Sequence, residues 1–404
     1  MSIKKNQCQF YIEKNVKPVY AKLNKAELFN SYEWMRRKLF EYNLGIPIRT
    51  FDNASLLEFG PSTGDNSLIF AHWGSKLSLI EPVEDFISCI DEYFTKHSLT
   101  ENLNLVKCST FENFETDDKF DFVIAEGFIF HTGQPAFWLP RLSSFSKKDG
   151  FVVISHLETV GFFIELLHSK CLQFFQSHYD KEPIALSKKM FYAKWSKVNH
   201  ARNFDAWAYD NLIYPTLDAY LLNSLVDFQE IMSECGMLMW SSWPSVSNFT
   251  DVTWIKKTTI DVKDVIMRNR SNFLRLLPSM LVGKYIDVNE KINEVGESLF
   301  SSLTSHIKSL AVPIETLQSD YIEKVQNEHN KIGDILQLCV PYFNETVLAT
   351  LWQEIDECLG YLSNGNIDSV IKLFNGNGPL SEYWGSPNFY SVWHCYDQTN
   401  IAKL

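Results

Sequence analysis

One turn in the sequence has the residue types and spacing of a site for a nucleotide-like ligand. An apolar run ends in an acid and leads into a helical pattern through the turn Glu58-Phe59-Gly60-Pro61-Ser62-Thr63-Gly64. Gly60 lets the backbone approach a ligand closely, and Gly64 permits tight packing where the helix begins. Backbone N–H groups at that helix start suit a carboxylate or a phosphate. Because Glu58 adds negative charge, the turn favours a ligand with an ammonium group over a pyrophosphate.

A second acid follows at the distance expected for a carboxylate that binds a sugar. Glu81 ends the next apolar run, is followed by Pro82, and lies about 20 residues after the glycine turn. An acid at that strand end is placed to accept both hydroxyls of a ribose. The alternative interpretation of Glu81 is an ordinary charge at a helix N-terminus.

Three polar side chains are candidates for moving a proton. His131 follows the run Ala125-Glu126-Gly127, His156 follows a later apolar run, and Asp210 lies in an aromatic-rich segment. A neutral imidazole near pH 7 is suited to removing one proton. For the histidines the alternative is a structural role, and for the segment around Asp210 it is the core packing of a lid helix.

Short apolar runs predict the elements that position these residues. Each has four to six residues and a loop signal after it, which is typical of strands buried in a parallel sheet. The runs are Ser55–Phe59, Lys76–Ile80, Leu103–Val106, Phe120–Ala125 and Gly150–Ser155. The spacing leaves room for one helix in each crossover. With Met237–Trp243 and Val252–Lys256 as an antiparallel edge, the sequence predicts an α/β fold, a doubly wound and mostly parallel seven-stranded sheet of Rossmann-like type.

The other segments are predicted to be mainly helical. The expected organisation is an N-terminal helical segment at 1–50, a ligand-binding domain at 51–157 and 222–260, a helical lid or substrate insertion at 158–221, and a mainly helical C-terminal domain at 261–404. In that last domain, prolines are expected to separate the helices, and Phe389–Tyr396 favours a strand; the prolines are Pro278, Pro313 and Pro341. The amphipathic helices of this domain also offer a homodimer interface.

Composition narrows the function classes. The chain has 404 residues and a net charge of -12, which opposes capture of nucleic acid. Its apolar stretches are too short for a bilayer span, and the N-terminus lacks the pattern of a secretory signal. The eight cysteines are dispersed without a CxxC pair, so we expect a reduced, cytoplasmic protein without a metal site.

At the glycine turn the chain resembles the class I S-adenosylmethionine-dependent methyltransferases. Their first motif, acidic-x-Gly-x-x-x-Gly, is matched by Glu58, Gly60 and Gly64, and their ribose-binding acid by Glu81. The family's Asp after the third strand is missing, so Ser109 or Thr110 would bind the adenine while Phe111 covers it. The resemblance implies that S-adenosylmethionine is the cofactor and that its contacts are Glu58, Gly60, Pro61, Ser62, Gly64, Glu81, Pro82, Ser109, Thr110, Phe111, Glu126 and Gly127.

The function expected is therefore methyl transfer to a small-molecule or carbohydrate-like acceptor, with His131, His156 or Asp210 as catalytic groups. Three alternatives stay open. The basic stretch Lys188–Lys197 allows an RNA methyltransferase, although the overall charge opposes one. A nicotinamide dehydrogenase fits the glycine spacing and the acid before the turn less well. A non-catalytic nucleotide-binding scaffold would bind the cofactor without turnover.

Overall fold

The structure is a computed structural model, and its chain divides into two compact units. The sheet unit comprises residues 1–156, 223–272 and 389–404, and the helical unit comprises 157–222 and 273–388. The structure describes residues 23, 25–128, 134–178, 182–198, 203–213, 223–246, 261–286, 288, 292–311, 321–339, 341, 345–385 and 388–396.

Seven strands form one sheet in the order β3-β2-β1-β4-β5-β7-β6. Strands β1 to β5 are parallel neighbours, whereas β6 and β7 pair antiparallel. This confirms the predicted doubly wound α/β fold. The strands are β1 Ser55–Phe59, β2 Lys76–Glu81, β3 Leu103–Cys108, β4 Phe120–Glu126, β5 Ser146–Leu157, β6 Met237–Trp243 and β7 Asn388–Cys395.

The central strand β1 determines where a ligand can bind. Leu56 to Phe59 are all buried because β1 lies between β2 and β4, with helices to pack against its faces. The chain proceeds from β1 to β2 and β3 on one side, and β4 and β5 lie on the other. A crevice opens at the carboxyl ends of the strands at such a reversal of strand order.

The seventh strand differs from the prediction. Val252–Lys256, expected to be the last strand, lies outside the described residues. The strand between β5 and β6 is Asn388–Cys395, which the sequence analysis placed in the C-terminal region. Its apolar side chains Phe389, Val392 and Trp393 are buried in the sheet unit, so burial across the sheet holds it there.

Among the described residues, five α-helices lie wholly in the sheet unit, and further helices form the other unit. The sheet unit contains Ala26–Arg37, which continues into the π-helical turn Lys38–Asn43, and then Asp65–His72, Glu84–Lys96, Pro135–Ser144 and Leu225–Glu234. The helix Val262–Val282 contains a boundary between the units. The helical unit contains Phe163–His178, Pro183–Trp195, Phe204–Ala208, Ile292–Ala311, Tyr321–Cys339, Glu345–Ser363, Ile367–Phe374 and Pro379–Glu382.

One proline was assigned wrongly. Pro278 does not separate two helices but lies inside Val262–Val282. Proline removes one backbone hydrogen bond there, yet Leu277 and Leu281 beside it are fully buried, and their packing outweighs the loss. Within the described ranges, no helix is long and apolar enough to cross a bilayer.

The N-terminal helix (Ala26–Arg37) packs on the sheet through a buried stripe. Phe29, Tyr32 and Arg36 are buried on this helix, and Phe40 continues the stripe in the turn that follows. The Phe40 ring packs edge-on against Phe70, with centroids 5.3 Å apart. The stripe therefore brings a charged side chain, Arg36, into the core of the sheet unit.

Candidate functional site

The turn after β1 has left-handed backbone at Gly60, Ser62 and Gly64, with φ angles of 65°, 55° and 83°. A Cβ atom on Gly64 would lie 2.8 Å from Cγ1 of the buried Ile90. Gly64 therefore serves the predicted tight packing at the helix start. A Cβ atom on Gly60 would lie 2.8 Å from Cδ1 of Phe128, so the group closest to this bare backbone is an aromatic ring.

The structure brings Glu81 to the glycine turn. The backbone N–H of Ser62 donates to Oε2 of Glu81 at 2.9 Å, and the N–H of Val83 donates to Oε1 at 2.9 Å. Glu81 is 3% exposed, and this burial raises its pKa to about 7. Pro82 follows at the same edge, where its carbonyl lies 3.7 Å from Sγ of Cys108. The two acids and the turn predicted to share a ligand thus lie at neighbouring strand ends.

Glu58 is a buried carboxyl at the end of β1. It is 2% exposed and accepts a hydrogen bond from Oγ of Ser67 at 2.6 Å. Burial raises the pKa of Glu58 to about 8, because the charged form is poorly solvated. A cationic group placed beside this carboxyl would restore its ionised form.

Glu126, another predicted contact, is already paired. Nη1 of Arg36 donates to its Oε2 at 2.8 Å, Nη2 donates to Oε1, and the Tyr390 hydroxyl donates to Oε2 at 3.0 Å. The side chains of Arg36 and Glu126 are each 7% exposed. The carboxylate of Glu126 therefore has a structural role at the edge of the crevice, and sequence reasoning missed both partners.

Two buried polar atoms of residues described above, one in this pair and one in the glycine turn, lack hydrogen-bond partners among the described residues. They are Nε of Arg36 and Oγ of Ser62. Buried polar atoms are rarely left unpaired, so both are candidates for contact with a bound ligand. The N-terminal helix contributes a further polar group near the turn, since the Tyr32 hydroxyl donates to Oδ1 of Asn66 at 2.7 Å.

The predicted adenine contacts lie next to the end of β2. The N–H of Ser109 donates to the carbonyl of Glu81 at 3.2 Å, and Oγ of Ser109 donates to the carbonyl of Thr110 at 3.2 Å. Phe111 is only 4% exposed, and its ring packs edge-on against Phe59 at 4.9 Å. Most of the Phe111 ring is therefore buried in the core.

The backbone after β4 turns sharply at Gly127. Its φ angle is 74°, and its N–H donates to Oγ of Ser155 at 2.9 Å. This bond ties the end of β4 to β5, and the chain then places Phe128 over Gly60.

Of the three catalytic candidates, only the side chain of His156 lies among the described residues. His131 lies outside the described residues. His156 does not follow β5 but lies within it; it is 1% exposed and packs between the rings of Phe228 and Phe389, with centroids 4.5 and 5.7 Å away. Burial between two rings does not support proton transfer by His156. Asp210 lies in the π-helical turn Tyr209–Ile213 of the helical unit, and its side chain is outside the described part.

One signal could have revealed Arg36. It shares the buried stripe of the N-terminal helix with Phe29 and Tyr32, at helical spacing. A charge on an apolar helix face indicates a buried partner. For metals, no group of three or more His, Cys, Asp or Glu side chains gathers among the residues that the structure describes.

Comparison with known proteins gives structural likenesses alone. No protein-family model matches the chain, and no curated protein matches it. The methyltransferase CcbJ from Streptomyces caelestis is 16% identical over 27% of this chain and 45% of its own, with a TM-score of 0.25. TehB from Haemophilus influenzae is 16% identical over 26% and 37%, with a TM-score of 0.24. PKMT2 from Rickettsia typhi is 14% identical over 55% and 46%, with a TM-score of 0.36. The chain thus spans less than half the length of each of these proteins.

The sheet and the turn define the fold class by themselves. The strand order ends in an antiparallel β7 and β6 pair, and the turn from Glu58 to Gly64 enters the first helix after β1. The chain therefore has a doubly wound, Rossmann-like α/β fold, which is the fold that the resemblance to the class I S-adenosylmethionine-dependent methyltransferases implies.

Proposed function

We propose that this protein is an S-adenosylmethionine-dependent methyltransferase that acts on a small-molecule or carbohydrate-like acceptor. The observation that carries the proposal is the 2.9 Å hydrogen bond from the N–H of Ser62 to Glu81. It joins the glycine turn after β1 to the acid that ends β2. Both lie at the carboxyl edge of the sheet, where doubly wound folds bind nucleotide-like ligands.

The chemistry of these residues fits the donor. Glu58 would attract the ammonium group of an amino-acid tail, and Glu81 would accept the hydroxyls of a ribose. The unpartnered Nε of Arg36 would meet the carboxylate of the tail. The amino-acid tail and the ribose of the donor would thus each meet a buried group of complementary charge or hydrogen-bonding capacity.

The donor supplies an electrophilic methyl group on a charged sulfur. The residues of this chain then have two tasks, alignment of the acceptor and removal of one proton. The Phe128 ring, whose centroid lies 6.5 Å from that of the mostly buried Phe111 ring, would give the crevice an apolar wall that excludes water. We propose His131 or Asp210 as the group that takes the proton, since His156 lies in the core.

The basic stretch favours a small acceptor over RNA because its lysines are largely paired. Lys188 lies 2.8 Å from Asp205, and Lys189 lies 3.1 Å from Asp368. Nζ of Lys194 is buried and donates to the carbonyl of Leu380 at 2.8 Å. Few free cations remain there for a phosphate backbone, and the net charge of -12 adds repulsion.

A groove in the helical unit has the lining expected for a carbohydrate-like molecule. Its volume is about 720 Å³, within the range of small-molecule sites. Three aromatic rings line it together with the Lys188–Asp205 ion pair and with Lys189; the lining residues are Lys188, Lys189, Tyr192, Trp195, Asn203, Phe204 and Asp205. Flat aromatic surfaces beside charged and polar side chains that form hydrogen bonds suit a hydroxylated ring.

Calorimetric titration with S-adenosylmethionine and S-adenosylhomocysteine tests the proposal. We expect both to bind the wild type, and Glu81→Gln to weaken both because it removes a negative acceptor for the ribose hydroxyls. As a matched control, Glu115→Gln changes an exposed acid outside the crevice and should leave both affinities unchanged. Absence of binding to the wild type would contradict the proposal.

The acceptor can be sought by mass spectrometry of molecules that co-purify and of extracts incubated with labelled donor. A labelled small molecule supports the proposal, whereas labelled RNA with steeply salt-dependent binding would replace it with the RNA alternative. Donor binding without any labelled product would favour the scaffold. A homodimer through the C-terminal helices remains part of the proposal and is tested by analytical ultracentrifugation.

A further inference from the structure

An aromatic ring, that of Phe128, lies over the backbone of Gly60 in the glycine turn. A Cβ atom on Gly60 would meet Cδ1, Cγ and Cε1 of Phe128 at 2.8, 3.0 and 3.3 Å. The ring reaches this position through the turn at Gly127, which Ser155 anchors. Phe128 is only partly buried, so it is not fully enclosed by the core. A ligand that follows the backbone of Gly60 therefore meets this ring.

The order of groups along the turn indicates which part of the ligand comes closest to the ring. Glu58 lies two residues before Gly60, and Ser62, which holds Glu81, lies two residues after it. The proposed function assigns the amino-acid tail of the donor to Glu58 and its ribose to Glu81. In S-adenosylmethionine the charged sulfur lies between these two parts. The sulfur is thus expected beside Gly60 and close to Phe128.

We propose that Phe128 is a specificity-determining residue that recognises the positive charge on the donor sulfur through the face of its ring. This inference rests on the proposed function. The π electrons of a phenyl ring attract a ligand cation, and the attraction grows as water is excluded. After methyl transfer the sulfur is neutral, so the ring holds the donor more tightly than the demethylated product.

Comparison of two ligands isolates this effect. S-Adenosylmethionine and S-adenosylhomocysteine share the amino-acid tail and the ribose, so contributions from Glu58 and Glu81 cancel in the ratio of their dissociation constants. Leucine keeps an apolar side chain of similar length but has no ring. We therefore expect Phe128→Leu to weaken S-adenosylmethionine binding about three- to ten-fold and to leave S-adenosylhomocysteine within about two-fold.

The experiment is calorimetric titration of both ligands into the wild type, Phe128→Leu and Phe128→Trp. Among aromatic side chains, tryptophan attracts cations most strongly. Phe128→Trp should therefore keep or increase the preference for S-adenosylmethionine over S-adenosylhomocysteine. The thermal unfolding midpoint shows whether Phe128→Leu folds. If it does not fold, Phe128→Trp decides: an unchanged or stronger preference for S-adenosylmethionine over S-adenosylhomocysteine supports the inference, and loss of that preference overturns it. Phe137→Leu is the matched control. The ring of Phe137 also packs near Phe111, with centroids 6.4 Å apart, and Phe137 is 49% exposed. None of its atoms is among the three nearest to a Cβ on Gly60.

The outcomes separate the two proposals. Equal weakening of both ligands by Phe128→Leu would show that the ring is only an apolar wall, and it would overturn this inference while the proposed function stands. Failure of the wild type to bind either ligand would overturn the proposed function and this inference with it. A selective loss of S-adenosylmethionine affinity supports both.

Discussion

Arg36 and Glu126 form a buried ion pair although 90 residues separate them in the chain. Both terminal nitrogens of the guanidinium donate to the carboxylate, and the Tyr390 hydroxyl donates to the same carboxylate. The N-terminal helix, β4 and β7 are thereby joined at one point beside the crevice. The side chain of Glu126 is consequently held in place by groups from two segments that are distant from it in sequence.

Removing one member of this pair should strongly destabilise the sheet unit. Arg36→Leu leaves the Glu126 carboxylate buried with one neutral donor, and the expected loss is about 3–5 kcal/mol in the free energy of unfolding. Urea unfolding followed by circular dichroism measures it. Arg37→Leu is the control: Arg37 is 35% exposed, pairs with Glu33 on its own helix, and should change stability by less than about 1 kcal/mol.

The double variant tests the reason for that loss. Arg36→Leu combined with Glu126→Leu removes both buried charges, so it should recover much of the stability that Arg36→Leu loses. A double variant no more stable than the single one would show that packing of the guanidinium, not the unpaired carboxylate, dominates.

Cofactor binding should release a proton from Glu58. Burial raises the pKa of Glu58 to about 8, so this carboxyl is largely protonated at pH 7 in the free protein. The ammonium group of the donor favours the ionised form, so affinity should rise between pH 6 and 8, by at most about ten-fold for each pH unit. Titration calorimetry in phosphate and in Tris at pH 7.5 measures the protons released.

Two variants show which carboxyl releases the proton when the cofactor binds. Glu58→Gln should abolish the release at pH 7.5, whereas Glu81→Gln should retain most of it, because the pKa of Glu81 is about 7. Equal enthalpies in the two buffers for the wild type would contradict the prediction.

The same carboxyl should make the free protein less stable in alkali. The folded-state pKa of Glu58 is raised, so its contribution to stability is full below its ordinary value near 4.5 and is lost as the pH rises through about 8. Glu58→Gln, which retains an acceptor for Ser67, should therefore raise the thermal unfolding midpoint at pH 8.5 and change it little at pH 5. An equal shift at both pH values would exclude ionisation as the cause.

Alanine at the two glycines of the turn should have different effects. Gly64→Ala combines a left-handed backbone with a clash against buried Ile90, and we expect a loss of about 2–4 kcal/mol. Gly60→Ala meets the partly exposed Phe128 ring, which can move, so the loss should be about 1–2 kcal/mol.

Cofactor affinity should show the opposite order. Gly60→Ala should weaken S-adenosylmethionine binding at least about ten-fold, a change of about 1.4 kcal/mol. Folded Gly64→Ala should bind nearly as the wild type does, because the added methyl group faces a helix. The two glycines would have been misassigned if Gly64→Ala lost affinity and Gly60→Ala did not.

The sequence predicts β1, β2 and β4 well because their own residues are buried. The expectation of a buried strand was wrong for β3, which lies at the edge of the sheet and is largely exposed. Strands β1, β2 and β4 match the predicted runs to within one residue, since their apolar side chains and the loop residues after them mark both ends. β5 is longer than predicted at both ends. Its first residues, among them Lys147, are polar and carry no apolar signal, and the strand continues past Ser155 to Leu157, so His156 is in the strand and not after it.

The partners of strands and charges are harder to predict because they are nonlocal. The pattern of Phe389–Tyr396 predicts a strand, but its residues do not indicate that this strand pairs with β5 and β6. In the same way, the motif names Glu126 as a cofactor contact, whereas its pairing with Arg36 and Tyr390 depends on how three distant segments pack. Local features are easier to predict: Gly64 lies at the start of its helix, as the pattern of the turn indicates.

The position of β7 has a consequence for synthesis on the ribosome. Strands β1 to β5 can pair as they are translated, but β6 has to wait for residues 388–395 before it gains its antiparallel neighbour. Until then β5 presents an open edge that invites pairing with other nascent chains. A force profile from a translational arrest peptide should therefore show the last folding step of the sheet only after residue 395 has left the exit tunnel.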